Sequence, residues 1–297
     1  MIVFGPPPAS TGVVNAMSVD VEDYFQVSAF DQAVSRDQWD SFESRVWANT
    51  ERVLATLARS STRATFFVLG WVAERYPALI RQIADRGHEI ASHGYDHRLV
   101  FDLTPEEFRA DLRRARAAIE SAAGVQVRGY RAPSFSITAR SLWALDILIE
   151  EGYAYDASIF PIHHDRYGLP SAPRHIHMIT RPAGTLWEVP GSTTRVSGMN
   201  VPIAGGGYFR LLPYGWTRLG IARVNRLERQ PVVFYIHPWE LDPEQPRLPA
   251  SQLTRLRHYR NLNETVPRLE RLLSEFRFDS IGSILDGRST GTDGTIQ

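Results

Sequence analysis

Residues 87–97 read Gly87-His88-Glu89-Ile90-Ala91-Ser92-His93-Gly94-Tyr95-Asp96-His97. Gly87 closes a helical pattern in the C′ position that glycine favours, and 87–91 is then a short buried strand. Ser92 to His97 follows as a loop or first helical turn, carrying two histidines four residues apart. At that spacing on a turn both imidazoles point the same way. Such a pair suits one divalent metal ion, usually zinc, with one or more carboxylates completing the site. Helix, glycine, strand and reactive loop in that order are the marks of a parallel βα unit, and the same order recurs on both sides.

Upstream, residues 13–20 (VVNAMSVD) read as a first buried strand, ending in the acidic cluster Asp20, Glu22 and Asp23. Residues 45–59 have helical periodicity, and 64–69 (ATFFVL) form a second buried strand. A helix over 72–86 follows, with Pro77 near its start or opening a second part. Downstream, Thr104-Pro105-Glu106-Glu107 is a helix start, with Thr as N-cap, Pro at N1 and Glu at N3. That helix runs to about Ala123, where Gly124 stops it. The pattern then gives a strand at 127–131, a helix at 138–151 and a strand at 153–155 leading into Asp156. Residues 161–184 read as irregular and hold His163, His164, His175 and His177. A strand at 186–189, a helix at 213–227, a strand at 232–236 (VVFYI) ending at His237 and a helix at 263–276 complete the series. The alternation predicts about seven parallel strands, in a barrel or an open doubly wound sheet.

Composition narrows the function classes. With 297 residues, 43% hydrophobic and 22% charged, the chain is long enough for one large α/β domain. Formal net charge is zero, which argues against a nucleic-acid partner. There is no cysteine, so a metal site must be built from His and Asp or Glu. No apolar run approaches the roughly 20 residues that span a bilayer, and Met1 to Gly12 is no signal peptide, so a cytoplasmic location is expected. Residues 1–12 are expected as an extension, 13–285 as the domain and 286–297 as a disordered tail.

Reactive groups of parallel α/β folds sit at the C-terminal ends of strands. Five strand ends here carry them: Asp20 with Glu22 and Asp23, His93 with His97, Arg131, Asp156, and His237. In that order the motifs resemble those of the polysaccharide deacetylases of the NodB-homology type, carbohydrate esterase family 4. Ser18-Val19-Asp20-Val21-Glu22-Asp23 resembles the family's first motif, Ser92 to His97 its His-x-x-x-His pair, and Arg131-Ala132-Pro133 its Arg-x-Pro. Residues 185–190 are similar to the fourth motif and Tyr235-Ile236-His237 to the fifth. Asp20-Val-Glu-Asp-Tyr-Phe and His237-Pro-Trp-Glu-Leu-Asp are similar to the branch found with exosortase-linked exopolysaccharide clusters.

The resemblance implies a distorted (β/α) barrel and metal-dependent removal of N-acetyl groups from a polysaccharide or its lipid-linked precursor. It implies one divalent metal, zinc or else cobalt, manganese or nickel, on His93, His97 and a carboxylate. Asp20 would be the general base, and Arg131 would hold it ionised by a bidentate pair. His237 would be the general acid, with Asp156 as the carboxylate that raises its pKa or, equally, as a turn cap. The backbone amide near Ser134 would help the oxyanion. The family's first motif has adjacent aspartates, whereas Val21 follows Asp20 here, so the third ligand is Glu22 or Asp23. Alternation along an extended strand favours Glu22; a turn after Asp20 favours Asp23, which is the expectation adopted. Trp187 and Trp239, beside motifs, are candidates to line the groove. Rival readings are an amidohydrolase acting on a small cyclic amide or imide, and a silent carbohydrate-binding module.

Overall fold

The computed structural model describes residues 12–289. Its first strand, β1 (Asn15–Val21), is buried on both faces. The alternation of side chains along a strand divides it. Met17, Val19 and Val21 join the large apolar cluster shared with the helices, while Ala16 joins a smaller one with Phe67, Ala91, Tyr155, Val189 and Val233. This is the pattern of a parallel strand packed on both sides.

The chain continues through α1 (Val46–Arg59), β2 (Thr65–Val68), α2 (Gly70–Arg75), α3 (Pro77–Asp85), β3 (Glu89–Ser92), α4 (Pro105–Ala123), β4 (Gly129–Tyr130), α5 (Ala144–Glu150) and β5 (Tyr155–Asp156). Next come β6 (His177–Arg181), β7 (Gly184–Glu188), β8 (Thr193–Val196), β9 (Met199–Pro202), α6 (Gly206–Leu211) and α7 (Tyr214–Arg223). The last elements are β10 (Val233–Ile236), α8 (Gln252–Tyr259), α9 (Thr265–Glu275), β11 (Phe278–Asp279) and α10 (Ile281–Ser289).

The main sheet has nine strands in the order β10-β1-β2-β3-β4-β5-β7-β6, with β11 beside β1, and all its pairings are parallel except β6 with β7. Among the described residues no ladder joins the two ends. The gap is bridged by a side chain: the Val233 amide donates to Ser192 Oγ at 2.7 Å, so the sheet curls back on itself as an incompletely closed barrel. The C-terminal helix α10 docks at the strands' N-terminal end, its Ile281 and Gly282 amides donating to Thr65 Oγ1 and Glu89 Oε2 at 2.8 Å each.

Each of the seven expected parallel strands is present. The capping box at α4 forms as read, with Thr104 and Glu107 satisfying each other's amides, and Gly124 ends that helix at φ 69°. The expected helix at 72–86 is two helices, with Pro77 at the first position of the second. Residues 177–181 are not irregular but an antiparallel edge strand, half exposed, which shows no continuous apolar run. The expected helix at 138–151 shortens to α5, and β8, β9, α6, α8, β11 and α10 have no counterpart among the expected elements. Helix α10 extends through Ser289; the rest of the expected tail and residues 1–11 lie outside the described residues. No helix among the described residues is long and apolar enough to cross a membrane.

Candidate metal-binding and hydrolytic site

Strand β1 continues one residue past Asp20, to Val21. Because the extended backbone persists, Glu22 points to the same side as Asp20 and Asp23 to the other. Glu22, His93 and His97 converge, each offering a ligand atom within 4.8 Å of the others, and all three are buried. Asp23, the expected third ligand, is turned away. Its Oδ2 accepts from Ser44 Oγ at 2.7 Å and from the Arg45 and Val46 amides at 2.8 and 3.1 Å, capping the start of α1. Burial pushes its pKa up to about 6 despite those hydrogen bonds. An anion at a helix N-terminus is well placed there and is not free to bind metal.

The histidines are oriented by the backbone. His93 Nδ1 lies 2.8 Å from the Arg131 carbonyl. The carbonyl can only accept, so the proton is on Nδ1 and the lone pair on Nε2. Burial lowers the His93 pKa to about 4, against the pull of Asp20 and Glu22, which keeps the ring neutral. His97 sits at φ 60°, in the left-handed region, held by Arg36, which donates to the Asp96 and His97 carbonyls at 2.8 and 3.1 Å. Between the two histidines Gly94 is at φ 75°, where a Cβ would stand 3.0 Å from Asp111 Oδ2. That carboxylate also accepts the Tyr95 amide, which ties the loop to α4.

His93 Nε2 is buried without a hydrogen-bond partner among the described residues, and Glu22 Oε2 is buried with only His97 Nε2 beside it, at 2.8 Å. Orphaned buried polar atoms are costly and rare. A lone imidazole nitrogen aimed at a carboxylate oxygen and a second imidazole is what a bound cation would satisfy, and two imidazoles with a carboxylate suit Zn²⁺ and its neighbours. The residues fit the implied metal. Burial works against the Glu22 charge, but His97, His237 and His93 outweigh it and hold the carboxyl well below its usual range.

The acid–base candidates share the same cleft, of about 150 Å³, lined by Asp20, Glu22, His93, His97, Tyr235 and His237 among others. Arg131 Nη1 donates to Asp20 Oδ1 at 2.6 Å and to Ser18 Oγ at 2.9 Å, and its Nε donates to the Ala157 carbonyl at 3.2 Å. The contact with Asp20 is therefore through one nitrogen and is not the expected bidentate fork. Ser134 lies at φ 51° and Phe135 at φ 53° in the loop after Arg131, so non-glycine residues hold left-handed backbone at the cleft wall.

Asp156 does not neighbour His237. It faces Glu188 across the β5–β7 ladder, and its Oδ1 accepts from Ser158 Oγ at 2.5 Å. Burial raises its pKa to about 6 and raises that of Glu188 well above the usual range, the two carboxyls competing for one charge. Ser158 Oγ accepts the Ala132 amide at 2.7 Å, so the pair braces the Arg131 loop from behind.

The carboxylate beside His237 is Glu240, whose Oε2 is 3.1 Å from Nδ1. His237 Nε2 lies 3.8 Å from Asp20 Oδ2 and 3.7 Å from Glu22 Oε1. Burial disfavours the imidazolium, but the Glu240 hydrogen bond, with the charges of Glu22, Glu240 and Asp20, reverses this and pushes the His237 pKa to about 9. Glu240 in turn is held at about 2, against burial, by Arg210 and His237; Arg210 Nε donates to its Oε1 at 2.7 Å. Trp239 also does more than line the cleft, since its Nε1–H donates to Glu22 Oε1 at 3.0 Å. The segment after β10 thus orients both the acid candidate and the metal-facing carboxylate. Trp187, on β7, packs against the inner apolar cluster instead. The sign of Glu240 in the sequence is its capping-box spacing from His237, through the amide of which its carboxylate is also fixed.

The remaining histidines do not gather. His175 Nε2 is 2.7 Å from Glu228 Oε2, His177 Nδ1 is 2.8 Å from the His175 carbonyl, His164 stacks on Tyr167, and His163 lines a separate surface groove.

Residues 36–149 match the polysaccharide deacetylase family model, and residues 157–286 match a domain of unknown function, DUF3473. Over residues 36–149 the chain is therefore similar to polysaccharide deacetylases of the NodB-homology, carbohydrate esterase family 4 type. It is 31% identical to the peptidoglycan-N-acetylglucosamine deacetylase of Bacillus cereus over 33% of this chain and 36% of that protein. It is 36% identical to the chitooligosaccharide deacetylase of Azorhizobium caulinodans over 28% of this chain and 40% of that protein. The matches thus span less than half of these relatives' length. A crystal structure of a candidate polysaccharide deacetylase from Mycobacterium smegmatis shares the fold, with a TM-score of 0.63 at 20% identity, covering 100% of this chain and 99% of that one. His93, His97 and Arg131 fall in the deacetylase match, whereas His237, Trp239 and Glu240 fall in the segment matched by the domain of unknown function.

Proposed function

We propose that this chain hydrolyses the acetamide of an N-acetylated glycan, with one divalent cation held by Glu22, His93 and His97. The observation that carries this reading is the buried convergence of Glu22, His93 and His97, ligand atoms within 4.8 Å of one another and His93 Nε2 without a partner among the described residues, in the cleft that also holds Asp20 and His237. The cation would polarise the acetamide carbonyl and lower the pKa of the attacking water. Asp20, positioned through its Oδ1 by Arg131, takes the proton of that water as its oxygen adds to the carbonyl carbon. His237, kept protonated by Glu240, gives its proton to the amide nitrogen as the C–N bond breaks. The products are acetate and a free amino sugar. Neutral His93 keeps its lone pair directed at the metal position because its other nitrogen is committed to the Arg131 carbonyl.

A polymer fits better than a small cyclic amide. The 150 Å³ cleft shares its Ser134 wall with adjoining grooves of about 190 and 610 Å³, more room than a small ring requires. The similarity of the Asp20 and His237 segments to the exosortase-linked branch favours a glycan of exopolysaccharide biosynthesis.

The test is acetate release from N-acetylglucosamine oligomers by the metal-loaded chain, with the new free amine counted in parallel. Equal amounts of both are expected. Hydrolysis of a cyclic imide with no acetate from any oligomer would overturn the reading.

A further inference from the structure

Next to the cleft lies a second cavity, of about 190 Å³, that shares the walls Val27, Ser134, Tyr167 and Trp239 with it. Its ionisable lining is of one kind: arginine or histidine, with tyrosine, and no carboxylate. These groups are not equivalent. Arg210 is buried and neutralised by Glu240 at 2.7 Å. Burial lowers the pKa of His258 to about 3 and lowers that of His164, so both rings are neutral near pH 7. The charge comes from Arg166 and Arg257, which are exposed and have no carboxylate within ion-pair distance among the described residues. The carboxylates Asp31 and Asp165 line the adjoining larger groove, which Arg166 also borders, and Asp165 lies 2.9 Å from His164. The cavity's wall is stiffened by rings packed on one another, Trp239 on His258 at 4.1 Å and Tyr167 on His164 at 3.9 Å.

Guanidinium groups recognise carboxylate and phosphate through paired N–H donors. Building on the deacetylase reading above, we propose that this cavity is a subsite for an acidic group of the glycan, neighbouring the N-acetylated residue, and that Arg166 and Arg257 select it. The substrate is then an anionic polymer and not a neutral chitin-like chain. Tyr167, Arg166, Trp239 and Arg257 all belong to the segment matched by the domain of unknown function, which would have specificity as one of its tasks.

The test compares three matched N-acetylated oligosaccharides: neutral, carboxylate-bearing and phosphate-bearing. Binding is measured first by calorimetry, then turnover of the metal-loaded enzyme. The wild type is expected to bind an acidic oligomer more tightly than the neutral one, with the advantage shrinking as salt is raised. Arg166→Gln and Arg257→Gln should each raise KM for that oligomer about fivefold, the worth of an exposed charge contact, with kcat and the neutral substrate unaffected. The acidic arm with the larger loss identifies the anion. Equal affinity for all three oligomers, or an acidic preference that survives in the double variant, overturns the subsite. Salt-sensitive, arginine-dependent binding with no turnover of any oligomer would keep the subsite and refute the deacetylase reading instead.

Discussion

Replacing Trp239 by Phe isolates one hydrogen bond of the metal site. The phenyl ring can retain the stack between His237, at 5.1 Å and 21°, and His258, at 4.1 Å and 13°. What is lost is the indole N–H that donates to Glu22 Oε1 at 3.0 Å. A hydrogen bond to a charged group contributes about 1.5–3 kcal/mol, and that bond restrains the carboxylate whose other oxygen faces the two histidines. Every 1.4 kcal/mol is a factor of ten, so metal affinity should fall about 10- to 100-fold, the range common for partners that orient a ligand. The assay is competition for Zn²⁺ with a chromophoric chelator of known affinity, with the melting temperature of the metal-free variant as a control on folding. Activity should return toward wild type at saturating metal. Unchanged affinity in a normally folded variant would refute the claim that Trp239 positions Glu22 for metal.

Three further outcomes follow from the same geometry. Asp20→Asn should keep its metal yet lose turnover by about 10²–10⁴-fold, the usual worth of a positioned acid or base; loss of metal, with activity recovered in excess zinc, would make Asp20 a ligand. His237→Ala should stay folded, because Glu240 keeps its Arg210 partner at 2.7 Å, and should remove the alkaline limb of the rate profile. The His237 pKa is raised, to about 9, so the proton donor is present below that pH and lost above it; an unchanged limb would assign the acid elsewhere. Asp111, pushed up to about 7 by burial and by Asp96, is more readily protonated in the fold than in the unfolded chain. Its stabilising contribution is therefore complete below about pH 4 and lost as pH rises through 7, so denaturation midpoints of the wild type should decline over that window more steeply than those of Asp111→Asn, and parallel curves would contradict this.

Most of the framework was legible because parallel strands buried on both faces are short apolar runs between helices, as at 64–69 and 232–236, and because Thr104-Pro-Glu-Glu and Gly124 mark both ends of α4. Strand β6 was not legible: as a half-exposed edge its residues lack that run, and its pairing with β7 depends on tertiary register. In the site, the histidine pair and Arg131 could be placed from local spacing. The choice between Glu22 and Asp23 turned on whether the strand stops at Asp20 or Val21, a one-residue boundary that reverses every side chain after it. The partner of His237 was sought at another strand end, Asp156. It lies three residues on, at Glu240, where a capping contact serves also as an electrostatic one. The Asp156–Glu188 pairing is a ladder neighbour across β5 and β7, and no local pattern announces it.

Metal content decides which side chains make up the ligand set. Wild type, Glu22→Gln and Asp23→Asn are to be loaded with zinc, desalted and assayed by elemental analysis alongside thermal melts. Glu22→Gln is predicted to lose its bound metal while remaining folded, whereas Asp23→Asn keeps the wild-type stoichiometry, because Asp23 is committed to Ser44, Arg45 and Val46. Metal retained in Glu22→Gln and lost from Asp23→Asn would contradict this ligand set.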